Sequence, residues 1–341
     1  MATITKSIGT DVTRDYSTIT GWEAALGGAA GGAGNDAVGE MYNDSAFDEE
    51  VVINDITPDS IVLSVASGER HDGTAGSGAR IVLSFGGSGE AAVQIAADLP
   101  VVVEWIEVDG NNAGQITDGF RCFNGSTTNT GTFKQCIAHD IDANNADLAA
   151  FNGDSGLTNI LNCIGYDVIS TNGLGYGCEE STGVTVNYLN NTMHNNKTAG
   201  FNGANVVQNC IGTDNGTDFT GSPSTEDHNI SSDTTASGTG SLISKTAANQ
   251  FVSLSPVDLH LKSGADAIDA GTDLGTTPTG VNIDIDGRDR DSEGDTWDIG
   301  AHEFVSGGSP TLLPTNLNII NSFKLLQKEK KLVFIFIVMK K

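Results

Sequence analysis

Two short motifs recur in the same order through the middle of the chain, and any fold must accommodate that recurrence. Phe-Asn-Gly occurs at Phe123, Phe151 and Phe201, with Cys178 standing where a further copy belongs, so the steps are 28, 27 and 23 residues. After each copy comes a second motif, seen as Gln135-Cys136-Ile137, Asn162-Cys163-Ile164 and Asn209-Cys210-Ile211, followed by Asp140, Asp167 or Asp214. Asn191-Thr192-Met193 with Asn196, and Glu104-Trp105-Ile106 with Asp109, are looser copies. A variable period near 27 residues describes coils that differ only in loop length. Short β-rich runs are separated by Gly, Asn and Ser clusters, and no long amphipathic helix interrupts them. A sandwich or barrel would require hairpin signals and gives no reason for one stacking motif per turn.

The predicted fold is therefore all-β: a single-stranded right-handed parallel β-helix with a short N-terminal capping helix. Like residues one coil apart then lie ~4.8 Å apart. Ile106, Ile137, Ile164, Met193 and Ile211 form an apolar column expected to point inward. Gln135, Asn162, Asn191 and Asn209 form an amide column at a bend, each able to bond its neighbour and local backbone. Cys136, Cys163 and Cys210 occupy a small-residue column beside it. The five cysteines are odd in number and lack a C-x-x-C pair, so buried free thiols are expected rather than disulfides or a zinc site.

Four segments are expected: an N-terminal cap over 1–40, the β-helix with its closing C-terminal stretch over 41–305, a linker at 306–310 and a tail over 311–341. Thr20 is the predicted N-cap of a helix that lays Trp22 across the open end of the core. The tail carries six of the 17 basic residues and one acidic residue, leaving 43 acidic against 11 basic, a net −32, on the preceding 310. Such a body cannot neutralise a phosphate backbone, so nucleic acid is excluded as a partner. The apolar run at 332–339 is eight residues, too short to span a bilayer, and β-prone enough to aggregate if bare. Met1 to Ser7 shows neither basic patch nor apolar stretch of a secretory signal, so synthesis in the cytoplasm is expected.

Beyond the repeats stand Asp258-Leu259-His260-Leu261, Ala267-Ile268-Asp269-Ala270-Gly271, Asp284-Ile285-Asp286-Gly287-Arg288 and Asp298-Ile299-Gly300-Ala301-His302-Glu303. This ordered series resembles the C-terminal closing segment of bacterial and phage proteins in the pectin-lyase-like, right-handed parallel β-helix superfamily. Ala265-Asp266 and His302 depart from the usual Ser-Pro and Tyr. The stretches at 15–23 and 64–73 also resemble marine-phage β-helix proteins. The resemblance spans about residues 1–305 and implies a phage virion structural protein (tail, fibre or capsid decoration) touching host surface glycans, associated with other virion proteins and with trimers common among such parts. Polysaccharide lyase or glycoside hydrolase activity is the alternative it leaves open, and a bacterial surface adhesin a third.

Two constellations carry chemical potential. Six carboxylates crowd residues 284–295, and Asp289, Asp291, Glu293 and Asp295 space oxygens like the start of a calcium loop, although Gly300 stands where an EF-hand needs its closing glutamate. Either Ca²⁺ binds there or Arg288 and Arg290 pair with the carboxylates in a surface turn. The second is the column Asp109, Asp140, Asp167, Asn196 and Asp214, with His139 beside Asp140. Asp140, Asp167 and His139 are the candidate catalytic residues, as a carboxylate pair or lyase site; the alternative is a recurring turn role. No other cofactor is expected, since nucleotide fingerprints are missing from the sequence.

Overall fold

The computed structural model describes residues 2–84, 91–111, 116–123, 130–143, 147–181, 183–292 and 296–306. From Ser60 onward the chain winds through a first, a second and a third sheet on each coil, for instance Thr130–Lys134, Ile137–Ile141 and Leu148–Gly153. The next coil repeats the sequence as Leu157–Leu161, Ile164–Val168 and Gly175–Glu180, paired in parallel with the one before. Among the described residues nine strands stack in the first sheet and seven in each of the second and third, in chain order, while Phe251–Leu254 and Val257–Leu261 form a separate antiparallel pair. This is the expected parallel β-helix, and crossovers between parallel strands take the right-handed sense almost without exception.

Residues 1–40 are more than a cap. Thr3–Ile8 and Asp36–Met41 are already the outermost rungs of the first sheet. The helix between them, Ile19–Glu23, is capped by the Thr18 hydroxyl, which accepts from the Gly21 N–H, and not by Thr20. Trp22 is fully buried against Gly39, where a side chain would have no room. At the other end, the stretch after Ile230–Ser231 folds over the last coil, and Ala236 joins the main core.

Register corrects three of the stacked columns. Phe120, not Phe123, pairs with Phe151, and the line continues through Cys178, Phe201 and Phe219. Phe120 and Phe151 stack at 5.1 Å, as do Phe201 and Phe219 at 4.9 Å, whereas Phe123 is 40% exposed. The bend amides are Gln135, Asn162, Asn190 and Asn209, all left-handed at φ 48 to 56, a conformation that asparagine tolerates better than most residues. Asn191 instead falls in the thiol column, where its Oδ1 accepts from the Cys163 N–H and its Nδ2 donates to the Ile160 carbonyl. Cys136, Cys163 and Cys210 are buried free thiols, as expected, and burial pushes Cys210 up to about 12.

The isoleucine column is the third correction. Glu107, Ile137, Ile164, Thr192, Ile211 and Ile230 are register partners, so Ile106 and Met193 do not belong to it. The buried isoleucines join a cluster separate from the main core, with Phe251, Leu259, Leu261, Ile285 and Ile299 of the C-terminal segment. They face outward, and the segment expected to close the core lies along the outside of the second sheet. Burial at ~2 kcal/mol per large side chain explains why the uncovered ridge would be unstable in water.

That segment also reaches the first sheet, where Leu161 and Leu189 pack with Val281 and Trp297. The bend amides hold it: Gln135 donates to Ile283, Asn162 to Gly280 and Val281, Asn190 to Val281 and Asn209 to Thr272 carbonyls. The amides thus bond mainly to the segment; the Asn209–Asn190 bond at 3.0 Å is a neighbour-to-neighbour link.

Candidate functional site

The recurring aspartates sit in tight corners. Asp140 and Asp167 interrupt second-sheet strands near their ends and Asp214 directly follows one, with φ of 52, 55 and 55, and the in-register partner in the intervening coil is Asn195, not Asn196. Asp109 is level with His139 rather than Asp140. Asp167 accepts from Asn195 Nδ2 at 2.6 Å. This row supplies the left-handed corner residue that each coil needs, and it keeps Asp140 and Asp167 on successive rungs.

His139 is drawn into the sheet. Its Nε2 faces Glu107 Oε1 at 3.2 Å, its Nδ1 faces Asp140 Oδ2 at 2.8 Å, and its ring stacks on Tyr166 at 4.9 Å. Burial opposes the charged ring, but Asp140 and Glu107 prevail and raise it to about 9.

In the carboxylate-rich loop the two described carboxylates of the expected calcium set accept from neighbouring side chains. Asp289 Oδ1 accepts from Asn282 Nδ2 at 3.0 Å, and Asp291 Oδ1 from Trp297 Nε1 at 3.1 Å. Glu293 and Asp295 lie outside the described residues. Arg288 pairs with Asp286 at 3.3 Å, while Arg290 is no surface residue at all. It is fully buried, bonding Glu303 at 2.7 Å, the Gly300 carbonyl at 2.8 Å and Asn162 Oδ1 at 3.2 Å. The other motif aspartates staple backbone: Asp284 accepts the N–H groups of Asp286, Arg288 and Glu303, and Asp298 those of Asp269 and Phe304. His260 bridges Asp258 at 2.5 Å and Asp286 at 2.9 Å, which against the pull of burial lifts it to about 10.

The third sheet carries a cluster that recurrence does not mark. Its outward rows are Asp118, Ala149, Tyr176 and Ala199, and beside them Arg121, Asn152, Glu179 and Asn202. None of these residues packs in the clusters formed with the C-terminal segment, among the described residues. Asp118 is 2% exposed; its Oδ1 accepts the Ala149 N–H and its Oδ2 the Asn152 Nδ2, both at 3.1 Å. Arg121 lies 3.8 Å from Asp118, pairs closely with Asp154 and covers the Phe123 ring. Burial pushes Asp118 well above the usual carboxylate range despite Arg121, and burial with nearby Asp147 and Asp154 brings Glu179 to about 7. Asn152 Oδ1 is buried without a partner among the described residues. A half-turn of that amide would let it accept the proton of a neutral Asp118. The sequence signal available was Asp118-x-x-Arg121 aligned one coil before Asn152 and two before Glu179, but only register reveals that alignment.

No protein-family model and no curated protein matches the chain. Among solved structures it is similar to the crystal structure of pectate lyase Pel9A, at 14% identity and a TM-score of 0.42, over 89% of this chain and 97% of that one. The β-helix itself is established by the strand pairings.

Proposed function

We propose that this β-helix acts on polysaccharide along its third sheet, as a glycoside hydrolase with Asp118 and Glu179 as its carboxyl pair. The observation that carries this reading is the position of two carboxyls, both shifted toward neutrality, around one clamped arginine on the sheet face whose apolar residues, Ala149, Tyr176 and Ala199, cluster apart from the C-terminal segment. The two residues are two rungs apart, roughly 10 Å at the backbone, which suits an inverting pair with water between the carboxyls. Asp118, protonated, donates to the leaving oxygen as the glycosidic bond breaks, once Asn152 and Arg121 shift to admit the sugar to this buried carboxyl; Glu179, ionised, takes a proton from the attacking water. Asn152 and Tyr176 offer polar and aromatic contacts to a sugar between them. A body of net charge −32 over residues 1–310 disfavours polyuronates, so a neutral glycan is the expected substrate.

Reducing-end release from a panel of neutral and acidic glycans tests this. Asp118→Asn and Glu179→Gln should each lower turnover by about 100-fold or more, with binding retained. The rate should rise as Glu179 ionises near pH 7 and fall once Asp118, whose proton burial retains, loses it. Cleavage that survives both substitutions removes the assignment.

A second reading, favoured by the uninterrupted parallel stack with its docked outer segment, is a stiff virion part that holds glycan without turning it over. It would join other virion proteins, as a trimer in the simplest case. Mass spectrometry of purified particles tests it; absence from the particle ends it.

A further inference from the structure

A second ionisable group, on the second sheet rather than the third, has no part in that chemistry. Asp109 and His139 are register partners on adjacent strands of the second sheet, and Asp140 follows His139 directly. One ligand atom from each of these three residues lies within 4.8 Å of the other two. We propose that Asp109, His139 and Asp140 form a binding site for a divalent transition-metal ion of the zinc or manganese class.

The arrangement around the imidazole is what distinguishes it from a chance meeting of charges. Glu107 is buried at 1% exposure and is fixed by the Gly76 N–H at 2.7 Å, so it stands ready to accept the His139 Nε2 proton. Nδ1 faces the Asp140 carboxylate at 2.8 Å, and an ion entering there takes the place of the proton the two share. A ligating histidine ordinarily passes its other ring proton to a carboxylate in this manner, which sets the tautomer and raises its basicity. Tyr166 holds the ring plane by parallel stacking at 4.9 Å. Asp109 Oδ1 is engaged by the Asn111 N–H at 2.7 Å, an interaction that orients the carboxylate. Asp109 and Asp140 are only partly buried, so an ion can enter and water can complete its shell. One imidazole with two carboxylates suits zinc or manganese better than calcium, which takes oxygen ligands almost alone.

The other such group, His260, Asp286 and His302, is the weaker site. There the Arg288 guanidinium stands 3.3 Å from both Asp286 and His302 Nε2, a fixed cation where the metal would sit.

Calorimetric titration of the full chain with zinc chloride, and separately with manganese chloride, in millimolar calcium, is the test. One ion per chain is expected, bound ten- to a hundredfold more weakly by Asp109→Asn and by Asp140→Asn, and its site lost in His139→Gln. Cobalt(II) should give a visible absorption band in wild type that the same substitutions abolish. The two aspartate variants keep the test open should His139→Gln fail to fold. Unchanged binding in the aspartate variants, or loss of binding in His302→Gln instead, overturns the site.

Discussion

The outer faces of the second and third sheets present the same kind of surface, rows of polar residues one rung apart, yet they resolve their charges in opposite ways. On the second sheet the isoleucine row is covered by the C-terminal segment, and the adjoining aspartates sit in corners whose left-handed backbone they make affordable. On the third sheet no described part of that segment intrudes, and Asp118 and Glu179 are held in surroundings that favour their protonated forms. Residues that recur on every coil answer a need every coil has. Residues that occur once, such as Asp118 and Arg121, answer a need of the molecule as a whole.

Substitutions at three positions bear on that contrast. The largest effect is expected at the covered faces. Arg290→Met should cost about 3–5 kcal/mol, because it leaves Glu303 buried without its partner and strips the bonds to Gly300 and Asn162. Chemical denaturation measures the loss, and limited proteolysis should cut first within 251–304. A change below about 1 kcal/mol would mean that the segment is held by its apolar contacts alone.

On the open face the effect should be smaller and of the opposite sign. Asp118 has a folded-state pKa above its unfolded value, so the stability it contributes is complete in acid and is lost as pH rises toward the folded value. Asp118→Asn removes that loss. Its thermal midpoint should match wild type near pH 4 and exceed it at pH 8; a variant less stable at both pH values contradicts the neutral carboxyl. The smallest effect belongs to the corners. Asp167→Asn should change stability by less than about 0.5 kcal/mol, since asparagine accepts φ of 55 equally well, whereas Asp167→Ala should cost roughly 1 kcal/mol or more.

The coiled architecture was legible because stacking forces like residues into lines, and Cys136, Cys163 and Cys210 with their flanking isoleucines expose that line directly. What misled was a coil with a weaker match. Aligning Met193 with Ile164 shifts the frame by one residue, and in a strand one residue exchanges the two faces; Met193 is in fact the partner of Gly165 and Gly212. The same slip put Asn191 at the bend and Asn196 in the corner. Phe123 misled for a different reason: its Phe-Asn-Gly triplet copies the others, but the strand it follows places Phe120 in line. The outward direction of Ile137 and Ile164 had no sequence signature, because an apolar residue under a docked segment reads the same as one in the core. Asp118 and Glu179 were invisible as a pair since their kinship depends on alignment across two coils. Asp140, Asp167 and His139 stand out in the sequence by being repeated or adjacent, and a left-handed turn role accounts for that recurrence of the aspartates.

The outer segment takes its bonds from side chains on four successive coils, Gln135, Asn162, Asn190 and Asn209. It is the last part of the body to leave the ribosome, and it finds its seat only after all four windings are in place. A chain cut short near residue 245 would keep its sheets but display a bare ridge of Ile137, Ile164, Ile211 and Ile230. Docking of this segment is thereby written onto the surface: a seated segment hides the ridge, and a missing one leaves it to whatever clears sticky chains.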